Sequence, residues 1–341
     1  MKKIVVSAEH DYEVRFCNSW KSEVEAIVGG RNHLFLVSAA IATALGIDAK
    51  RSDVCVLPDG EEQKSFATLE LALRECARRG LTRNSVIIGI GGGATTDLAG
   101  FVAATYMRGI DWIAVPTSVA GMVDAAIGGK TGLNIPEGKN LVGSFHSPAL
   151  VVVDLNLLRT LPLRDKSAGL AEVVKCGFIK DPRILDLVEN GVETNLEELI
   201  YRSVAVKAEV VSKDFKESGE REILNYGHTL GHAIEAHSKY SLRHGEAIAI
   251  GLVFAAELSH RYGALDAEIV ARHRSILEEL QLPIGYSRAA WGELLHLMKS
   301  DKKRKGSYLR FVSLEALGKT SRIDSATDED LSLLYGEKIA R

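Results

Sequence analysis

The sequence has no apolar run long enough to cross a membrane. Its most apolar stretch, residues 247–256, is 10 residues long and contains Gly251, whereas a transmembrane helix needs about 20 residues. The first 16 residues include two lysines but lack the apolar core of a signal peptide. We therefore expect no membrane partner and a protein located in the cytoplasm.

Cysteine is scarce as well. The four cysteines form no CxxC pair and are far apart, at positions 17, 55, 76 and 176. This pattern argues against a disulfide framework and against a zinc site built from cysteines. It is more typical of a protein in a reducing compartment.

An excess of charge of one sign is also missing. Lys and Arg together number 42 and Asp and Glu 45, so the formal net charge is -3. This balance gives no reason to expect nucleic acid or an anionic membrane as a partner. A ligand that carries phosphate must therefore be held by a local cluster of cations.

The sequence has enough material for two domains, with 341 residues of which 46% are apolar. Over the first 155 residues, short β-branched runs alternate with helical patterns, which predicts an α/β domain with a parallel sheet covered on both faces. The predicted strands are HLFLVS, DVCVL, SVIIGI, DWIAVP and ALVVVD.

From Arg164 onward the apolar residues recur mostly with helical period. The run YLRFVSL, near Tyr308, is the only one here that is typical of a strand. We therefore predict an α/β nucleotide-binding domain at residues 1–158, a mainly helical domain at residues 159–341, and a cleft between them.

A glycine-rich turn follows the predicted strand SVIIGI, with glycines at positions 89, 91, 92 and 93 before a helical pattern. Glycines let the backbone approach a pyrophosphate, and the helix N-terminus supplies N–H groups and the positive end of a dipole. The motif is not a regular GxGxxG and lacks the GK[ST] of ATPases. The alternative is a turn that merely packs strand against helix, and Asp97 is either a helix-cap acid or a cofactor contact.

Two histidines, His228 and His232, are four residues apart on a helical pattern and so share one face. The string HTLGH lacks the glutamate of the HExxH protease motif, which argues against a protease. With His244 and the acid Glu172 they are candidates for a catalytic zinc site, which commonly uses two histidines and one carboxylate. The alternative is that the histidines act separately and that Glu172 forms an ordinary helical ion pair with Lys175.

Polar residues are concentrated in the glycine-rich segment around residues 122–143, which includes Asp124, Lys130, Asn134, Lys139 and Asn140. Such a segment is typical of a ligand-binding loop on a rigid scaffold, and the alternative is a long solvated loop. Other cations that could neutralise a phosphate and a carboxylate on one substrate are Arg108, Lys207, Arg221, Lys302 and Lys303.

Between about residues 55 and 306 the motifs together resemble the 3-dehydroquinate synthase family of sugar-phosphate cyclases. The segments that carry the resemblance are PDGEEQKS, GGGATTDLAGFVAATYMRG, VPTSVAGMVDAAIGGKTGLNIPEGKNLVGSFHSP, GLAEVVKCGFI, VKAEVV, REILNYGHTLGHAIE, RHGEAIAIG and SDKKRKG. The resemblance implies a Rossmann-like NAD domain, a helical second domain, and an active site in the interdomain cleft. It also implies one divalent zinc or cobalt ion and a homodimer.

The resemblance further implies a role for each matching residue. The metal ligands would be Glu172, His228 and His244. Substrate and catalytic contacts would be Arg108, Asp124, Lys130, Asn140, Lys175, Lys207, Arg221, Asn225, His232 and Lys302. NAD contacts would include Glu61, Lys64, Gly92, Gly93, Asp97, Thr117, Ser118, Lys130, Lys139 and Thr160.

The activity implied by the resemblance is the conversion of 3-deoxy-D-arabino-heptulosonate 7-phosphate to 3-dehydroquinate and phosphate, a step of aromatic amino-acid biosynthesis. Alternatives within the superfamily are cyclases that make amino-dehydroquinate, valiolone-type or deoxy-inosose products. A metal-dependent polyol dehydrogenase is a further alternative, although it would need no phosphate-binding cations. A nucleotide-binding regulator without activity would not need a complete set of histidines and polar residues.

Overall fold

A computed structural model of the chain describes residues 2–302 and 309–341, without the side chains of residues 301 and 302. The chain divides into two compact units. The first unit comprises Met1–Pro162 and Lys207–Lys216, and the second comprises Leu163–Val206 and Glu217–Arg341.

Residues 207–216 belong to the first unit, whereas the sequence prediction placed every residue after 158 in the second domain. They belong to the first unit because their side chains contact it. Lys207 pairs with Asp124, and the ring of Phe215 packs edge-on against Phe145. Helical period identifies the helix that carries residues 207–213 but does not reveal which core its last turns join.

The first unit is an α/β fold, as predicted. Its elements are β1 (Lys3–Ser7), β2 (Asp11–Cys17), α1 (Trp20–Val28), β3 (His33–Ser38), α2 (Ala39–Ala44), β4 (Val54–Leu57), α3 (Phe66–Arg78), β5 (Val86–Gly91), α4 (Gly93–Thr105), β6 (Asp111–Pro116), β7 (Lys130–Ile135), β8 (Gly138–Phe145) and β9 (Leu150–Asp154). The predicted strands correspond to β3, β4, β5, β6 and β9. Every residue of β5 and β9 is buried, so both faces of the sheet are covered there.

The main sheet has the strand order β1-β2-β9-β6-β5-β3-β4, and all neighbouring strands are parallel except β1 with β2. The chain runs outward from β3 to β4 and returns to the other side of β3 as β5. In open α/β sheets, ligands bind at the carboxyl ends of the strands where the order reverses in this way. Here that point lies at the ends of β3 and β5, and β5 leads into the glycine turn.

The polar segment after residue 129 is not a loop, so both sequence interpretations of its structure were wrong. Strands β7 and β8 form an antiparallel hairpin in which Gly132 faces Gly143. A Cβ on Gly132 would lie 2.5 Å from Val142 O, so glycine permits this close pairing. Glycine and polar residues lower the apparent strand propensity, which concealed the hairpin in the sequence.

The second unit is mainly helical, as predicted. Its elements are α5 (Leu163–Ile179), α6 (Arg183–Glu189), α7 (Val192–Lys213, ending in the first unit), α8 (His228–His237), α9 (His244–Tyr262), α10 (Ala267–Glu279), α11 (Trp291–Lys302), β10 (Phe311–Ala316), β11 (Lys319–Ile323) and α12 (Asp328–Lys338). The expectation of a single strand was wrong, since β10 pairs with β11. Only the last residue of β11 is buried, so its sequence lacks a clear apolar alternation.

Helix α9 is the central helix of the second unit. All its residues from Gly245 to Ser259 are buried, as expected for a helix that is apolar on every side. It is nevertheless not apolar enough along its length to cross a membrane, and no other helix within residues 2–302 and 309–341 is both long and apolar enough to do so.

Helix α10 contains a buried histidine that packs against α5. His273 stacks on Phe178, its Nδ1 donates to Ile269 O at 2.7 Å, and its Nε2 accepts from the Tyr226 hydroxyl at 3.0 Å. These bonds satisfy a neutral imidazole. Burial lowers the pKa of His273 from 6.5 to about 3.

Because the folded pKa is depressed, the unfolded chain binds the proton more readily, and stability falls as the pH drops below about 6.5. We expect the His273→Gln variant, which keeps an acceptor for Tyr226, to lose about 2 kcal/mol less unfolding free energy than the parent between pH 7.5 and pH 5.0. Chemical denaturation at both pH values measures this difference. Identical pH dependence in the two proteins would contradict the assignment.

Candidate active site

The glycines of the turn after β5 divide into two kinds. A Cβ on Gly89 would lie 2.5 Å from Ala99 Cβ, and one on Gly91 would lie 2.2 Å from Thr95 Oγ1, so both are needed to pack α4 against β5. A Cβ on Gly92 would meet only Ser118 Oγ, at 3.5 Å. Packing therefore explains the first two glycines, while Gly92 leaves the N-terminus of α4 open to the backbone approach that a pyrophosphate requires.

Thr117 and Ser118 lie at the same edge of the sheet. Thr117 N donates to Gly91 O at 2.8 Å, and Ser118 Oγ accepts from Gly121 N at 3.1 Å. The structure thus brings together four of the predicted NAD contacts, namely Gly92, Gly93, Thr117 and Ser118.

Lys64 is the centre of a second polar cluster in the first unit. Its ammonium donates to Asp97 Oδ2 at 2.7 Å and to Asn140 Oδ1, and Glu61 Oε1 lies 3.7 Å away. Burial opposes the charge of Lys64, but the Asp97 and Glu61 carboxylates outweigh it and raise its pKa. Asn134, which the sequence analysis named only within the polar segment, donates to Glu61 Oε1 at 2.8 Å. The cluster holds the β7–β8 hairpin beside the segment that contains Lys64.

We expect the Lys64→Met variant to lower the free energy of unfolding by about 2–3 kcal/mol. Removing one partner of a buried ion pair typically costs about 3–5 kcal/mol, and the Asp97 side chain is 20% exposed, which reduces the effect. Lys3→Met is the control, because Lys3 is 58% exposed and also pairs with a glutamate, at 2.6 Å. Chemical denaturation should show a loss below about 1 kcal/mol for the control, and equal losses would contradict the prediction.

Asp124 and Lys207 form a further ion pair in the first unit. Asp124 lies in a short helical turn, Gly121–Ala125, and its carboxylate accepts from the ammonium of Lys207 in α7. The Lys207 side chain is only 9% exposed. Two residues that the resemblance assigns to the substrate are therefore in direct contact.

In the second unit, Glu172, His228 and His244 converge from three helices, α5, α8 and α9. Glu172 Oε1 lies 3.6 Å from His228 Nε2 and 3.3 Å from His244 Nε2. Ligand atoms about 2.0–2.1 Å from a tetrahedral zinc ion lie about 3.3 Å apart. The three atoms thus have the spacing of three corners of a metal site, and all lie within 4.8 Å of one another.

The remaining polar atom of each group is held by another residue. Lys175 Nζ lies 2.5 Å from Glu172 Oε2, His228 Nδ1 donates to Tyr226 O at 3.0 Å, and His244 Nδ1 faces Glu235 Oε2 at 2.9 Å. These contacts direct Glu172 Oε1 and the two Nε2 atoms towards one point. The ion pair between Glu172 and Lys175 therefore exists, and it is compatible with a metal-binding role for the other carboxylate oxygen.

The electrostatics also fit a cation. Neither oxygen of the fully buried Glu172 carboxylate accepts a hydrogen bond of good geometry within the described residues. Burial opposes its charge, but Lys175 and the histidines hold the pKa of Glu172 well below its usual range. Although burial disfavours a charged His244, the Glu172 and Glu235 carboxylates raise its pKa to about 10. The surroundings of His244 therefore favour positive charge at this point.

Glu235 was not identified in the sequence. It lies on α8, and its side chain is 7% exposed. A second group of possible ligands, His232, Glu235 and His244, also has its ligand atoms within 4.8 Å. A sequence signal for Glu235 was nevertheless present, because residues 228, 232 and 235 follow the i, i+4, i+7 spacing of one helix face.

The remaining predicted site residues are distributed over both units. Arg221 is 1% exposed, and Asn225 Nδ2 donates to Glu217 Oε1 at 2.9 Å. Arg108 follows the C-terminal end of α4, roughly 20 Å along the helix from Gly93. Lys130 and Thr160 are exposed and Lys139 is half-buried. Lys302 ends α11, but its side chain lies outside the described residues, as does Lys303.

The whole chain is similar in fold to two solved structures. A 2-epi-5-epi-valiolone synthase from Streptomyces hygroscopicus subsp. jinggangensis 5008, with NAD+ and Zn2+ bound, has a TM-score of 0.88 and 23% identity, covering 98% of this chain and 99% of that one. A 2-deoxy-scyllo-inosose synthase, complexed with carbaglucose-6-phosphate, NAD+ and Co2+, has a TM-score of 0.82 and 25% identity, covering 99% and 100%. The fold is therefore that of the sugar-phosphate cyclases.

Sequence comparison gives the particular family. The family model described as 3-dehydroquinate synthase N-terminal matches residues 54–168, and the one described as 3-dehydroquinate synthase C-terminal matches residues 169–304. The 3-dehydroquinate synthase of Streptomyces coelicolor is 48% identical over 342 residues, covering 96% of this chain and 94% of that protein. The chain belongs to the 3-dehydroquinate synthase family.

Proposed function

We propose that the chain converts 3-deoxy-D-arabino-heptulosonate 7-phosphate to 3-dehydroquinate and phosphate, using NAD and one divalent metal ion, zinc or cobalt. The observation that carries the proposal is the convergence of Glu172 Oε1 with the Nε2 atoms of His228 and His244 in a chain of this family. Because phosphate would leave by elimination, we class the activity as a carbon–oxygen lyase.

When bound, NAD would accept and later return a hydride, and the metal ion would acidify a substrate hydroxyl. Glu172, His228 and His244 would hold the metal ion through the three atoms described above. Gly92 and the N-terminus of α4 would receive the pyrophosphate of NAD, and Lys64 with Glu61 and Asp97 would contribute further contacts. The remaining NAD contacts proposed from the resemblance are Gly93, Thr117, Ser118, Lys130, Lys139 and Thr160.

The chemistry of the substrate suggests roles for the remaining residues. Oxidation at carbon 5 makes the neighbouring carbon-6 hydrogen acidic, and phosphate then leaves, with the substrate phosphate itself as the base. After reduction, ring opening and an intramolecular aldol reaction close the carbocycle. We propose that His232 and Asn225 move and orient protons near the oxidised carbon. Cations and amides that would hold the phosphate are Lys130, Asn140, Lys175 and Arg221, and further proposed contacts are Arg108, Asp124, Lys207 and Lys302.

Incubation with the heptulosonate phosphate, catalytic NAD and zinc tests the proposal. We expect release of one phosphate for each 3-dehydroquinate formed, identified by mass, with no net NADH. A different cyclised product would support one of the alternative cyclases, such as the amino-dehydroquinate or valiolone type. Net NADH formation on glycerol, without phosphate release from the heptulosonate, would instead support a polyol dehydrogenase and contradict the proposal.

Homodimer formation and a cytoplasmic location stay predictions. The homodimer follows from the resemblance alone, and the location follows from the cysteine pattern and the hydropathy of the sequence. Light scattering of the purified protein would test the first, because a dimer of this 37.0 kDa chain has twice the mass of the monomer.

A further inference from the structure

The Glu235 carboxylate lies next to a metal-binding histidine of the proposed site. Its Oε2 atom is 2.9 Å from His244 Nδ1, and its side chain is 7% exposed, whereas that of His244 is 38% exposed. Glu235 is on α8 and His244 begins α9, so the contact joins two helices. A carboxylate buried to this degree would be costly without such a partner.

The contact with Glu235 determines which nitrogen of His244 can bind a metal ion. A carboxylate accepts a hydrogen bond but cannot donate one when ionised, so in the neutral form of His244, the form that can bind a metal ion, Nδ1 carries the proton and Nε2 presents its lone pair. That Nε2 atom lies 3.3 Å from Glu172 Oε1. A histidine whose Nδ1–H is bound by a carboxylate is also a stronger donor to a metal than one bound to a neutral acceptor. His228 provides the comparison, because its Nδ1 is bound by the neutral Tyr226 carbonyl.

We propose that Glu235 is a positioning residue that orients His244 and strengthens its bond to the metal ion. The proposal rests on the metal site of the proposed function. Glu235 would not touch the ion itself and would act through the imidazole. Outer contacts of this kind typically change metal affinity by about 10–100-fold.

The competing interpretation is that Glu235 binds a metal ion directly, together with His232 and His244. Their ligand atoms also lie within 4.8 Å of one another. If Nδ1 of His244 were the ligand in that arrangement, it could not carry the proton that Glu235 accepts. We favour the positioning role because a 2.9 Å contact has hydrogen-bond length and because His244 Nε2 already faces Glu172.

Zinc affinity of the Glu235→Ala and Glu235→Gln variants, measured by competition with a chromophoric chelator, tests the proposal. We expect binding about 30–100-fold weaker in the first and about 10-fold weaker in the second, because glutamine keeps an acceptor for Nδ1–H but lacks the charge. Glu257→Gln is the matched control. Glu257 is also buried and lies on α9, but its carboxylate binds Arg274 at 2.8 Å and not a metal-binding histidine. The control should bind zinc within twofold of the parent.

Cobalt(II) spectra separate positioning from direct ligation. The Glu235→Gln variant, saturated with Co2+, should keep the energy and intensity of the parent's visible bands, because the three ligands are unchanged. Altered bands would overturn the proposal in favour of direct ligation, and zinc affinities within twofold of the parent would overturn it outright. If the parent itself binds no zinc, the metal site of the proposed function fails, which is a different result from normal binding by both Glu235 variants.

Discussion

Replacing His228 with alanine should abolish metal retention and turnover together. The substitution removes one of three ligands and leaves the buried Glu172 with a single histidine opposite Oε1. We expect zinc affinity to fall by more than about 100-fold, beyond the range typical of outer contacts. Turnover should fall at least about 1,000-fold, because charge on the substrate would lose its main stabilising partner. Metal analysis after gel filtration and a phosphate-release assay measure the two effects.

His237→Ala is the matched control for this experiment. His237 lies on the same helix, and its Nδ1 contacts the Tyr286 hydroxyl at 2.9 Å, away from Glu172. The control should retain one zinc ion and nearly normal turnover. Near-normal activity of the metal-stripped His228→Ala variant would show that His228 is not a required ligand.

Replacing Gly245 with alanine should have the second-largest effect, although Gly245 is not itself one of the proposed metal ligands. A Cβ at this position would lie 1.7 Å from Ala168 O in α5, and Cβ contacts below 3.0 Å are essentially never seen. The helices α5 and α9 would have to separate by at least about 1.3 Å where Ala168 of α5 meets Gly245, the residue that follows His244 in the chain. We expect a loss of about 2–3 kcal/mol in unfolding free energy and at least tenfold weaker zinc binding.

Gly292→Ala separates this effect from helix propensity. Gly292 is also helical, in α11, but a Cβ there would meet nothing within 4 Å. Alanine should therefore stabilise the protein by about 0.5–1 kcal/mol and leave zinc binding unchanged. Chemical denaturation and chelator competition measure both variants. Normal zinc affinity in Gly245→Ala would mean that the approach of α5 to α9 does not position the ligands.

Much of the fold could be predicted from local patterns. Strands such as β5 and β9 are short runs rich in β-branched residues and buried on both faces, and α9 is a long apolar segment, so each element is encoded by its own residues. The β7–β8 hairpin could not be predicted in this way. Its strands depend on glycines that permit close pairing, and Asn134 and Asn140 tie it to Lys64 and the neighbouring backbone.

The candidate site was predictable to a similar extent. The motifs identified Glu172, His228 and His244 as candidate ligands, and the structure brings their side chains together. The contacts around them were missed, because the Tyr226 carbonyl has no sequence signal and Glu235 was not read as part of the His228 face. Arg108 differs from these residues because a motif identified it. Its position in the motif nevertheless does not say what surrounds its side chain.

By itself, the sequence determined the local geometry, because helical and strand periods depend on neighbouring residues. It placed His228 and His232 on one face of α8 and glycines at the end of β5. Only the tertiary structure decided that His244 Nε2 and Glu172 Oε1 meet at 3.3 Å. Their helices are distant in sequence, and the meeting depends on backbone packing at Gly245, which no local pattern records.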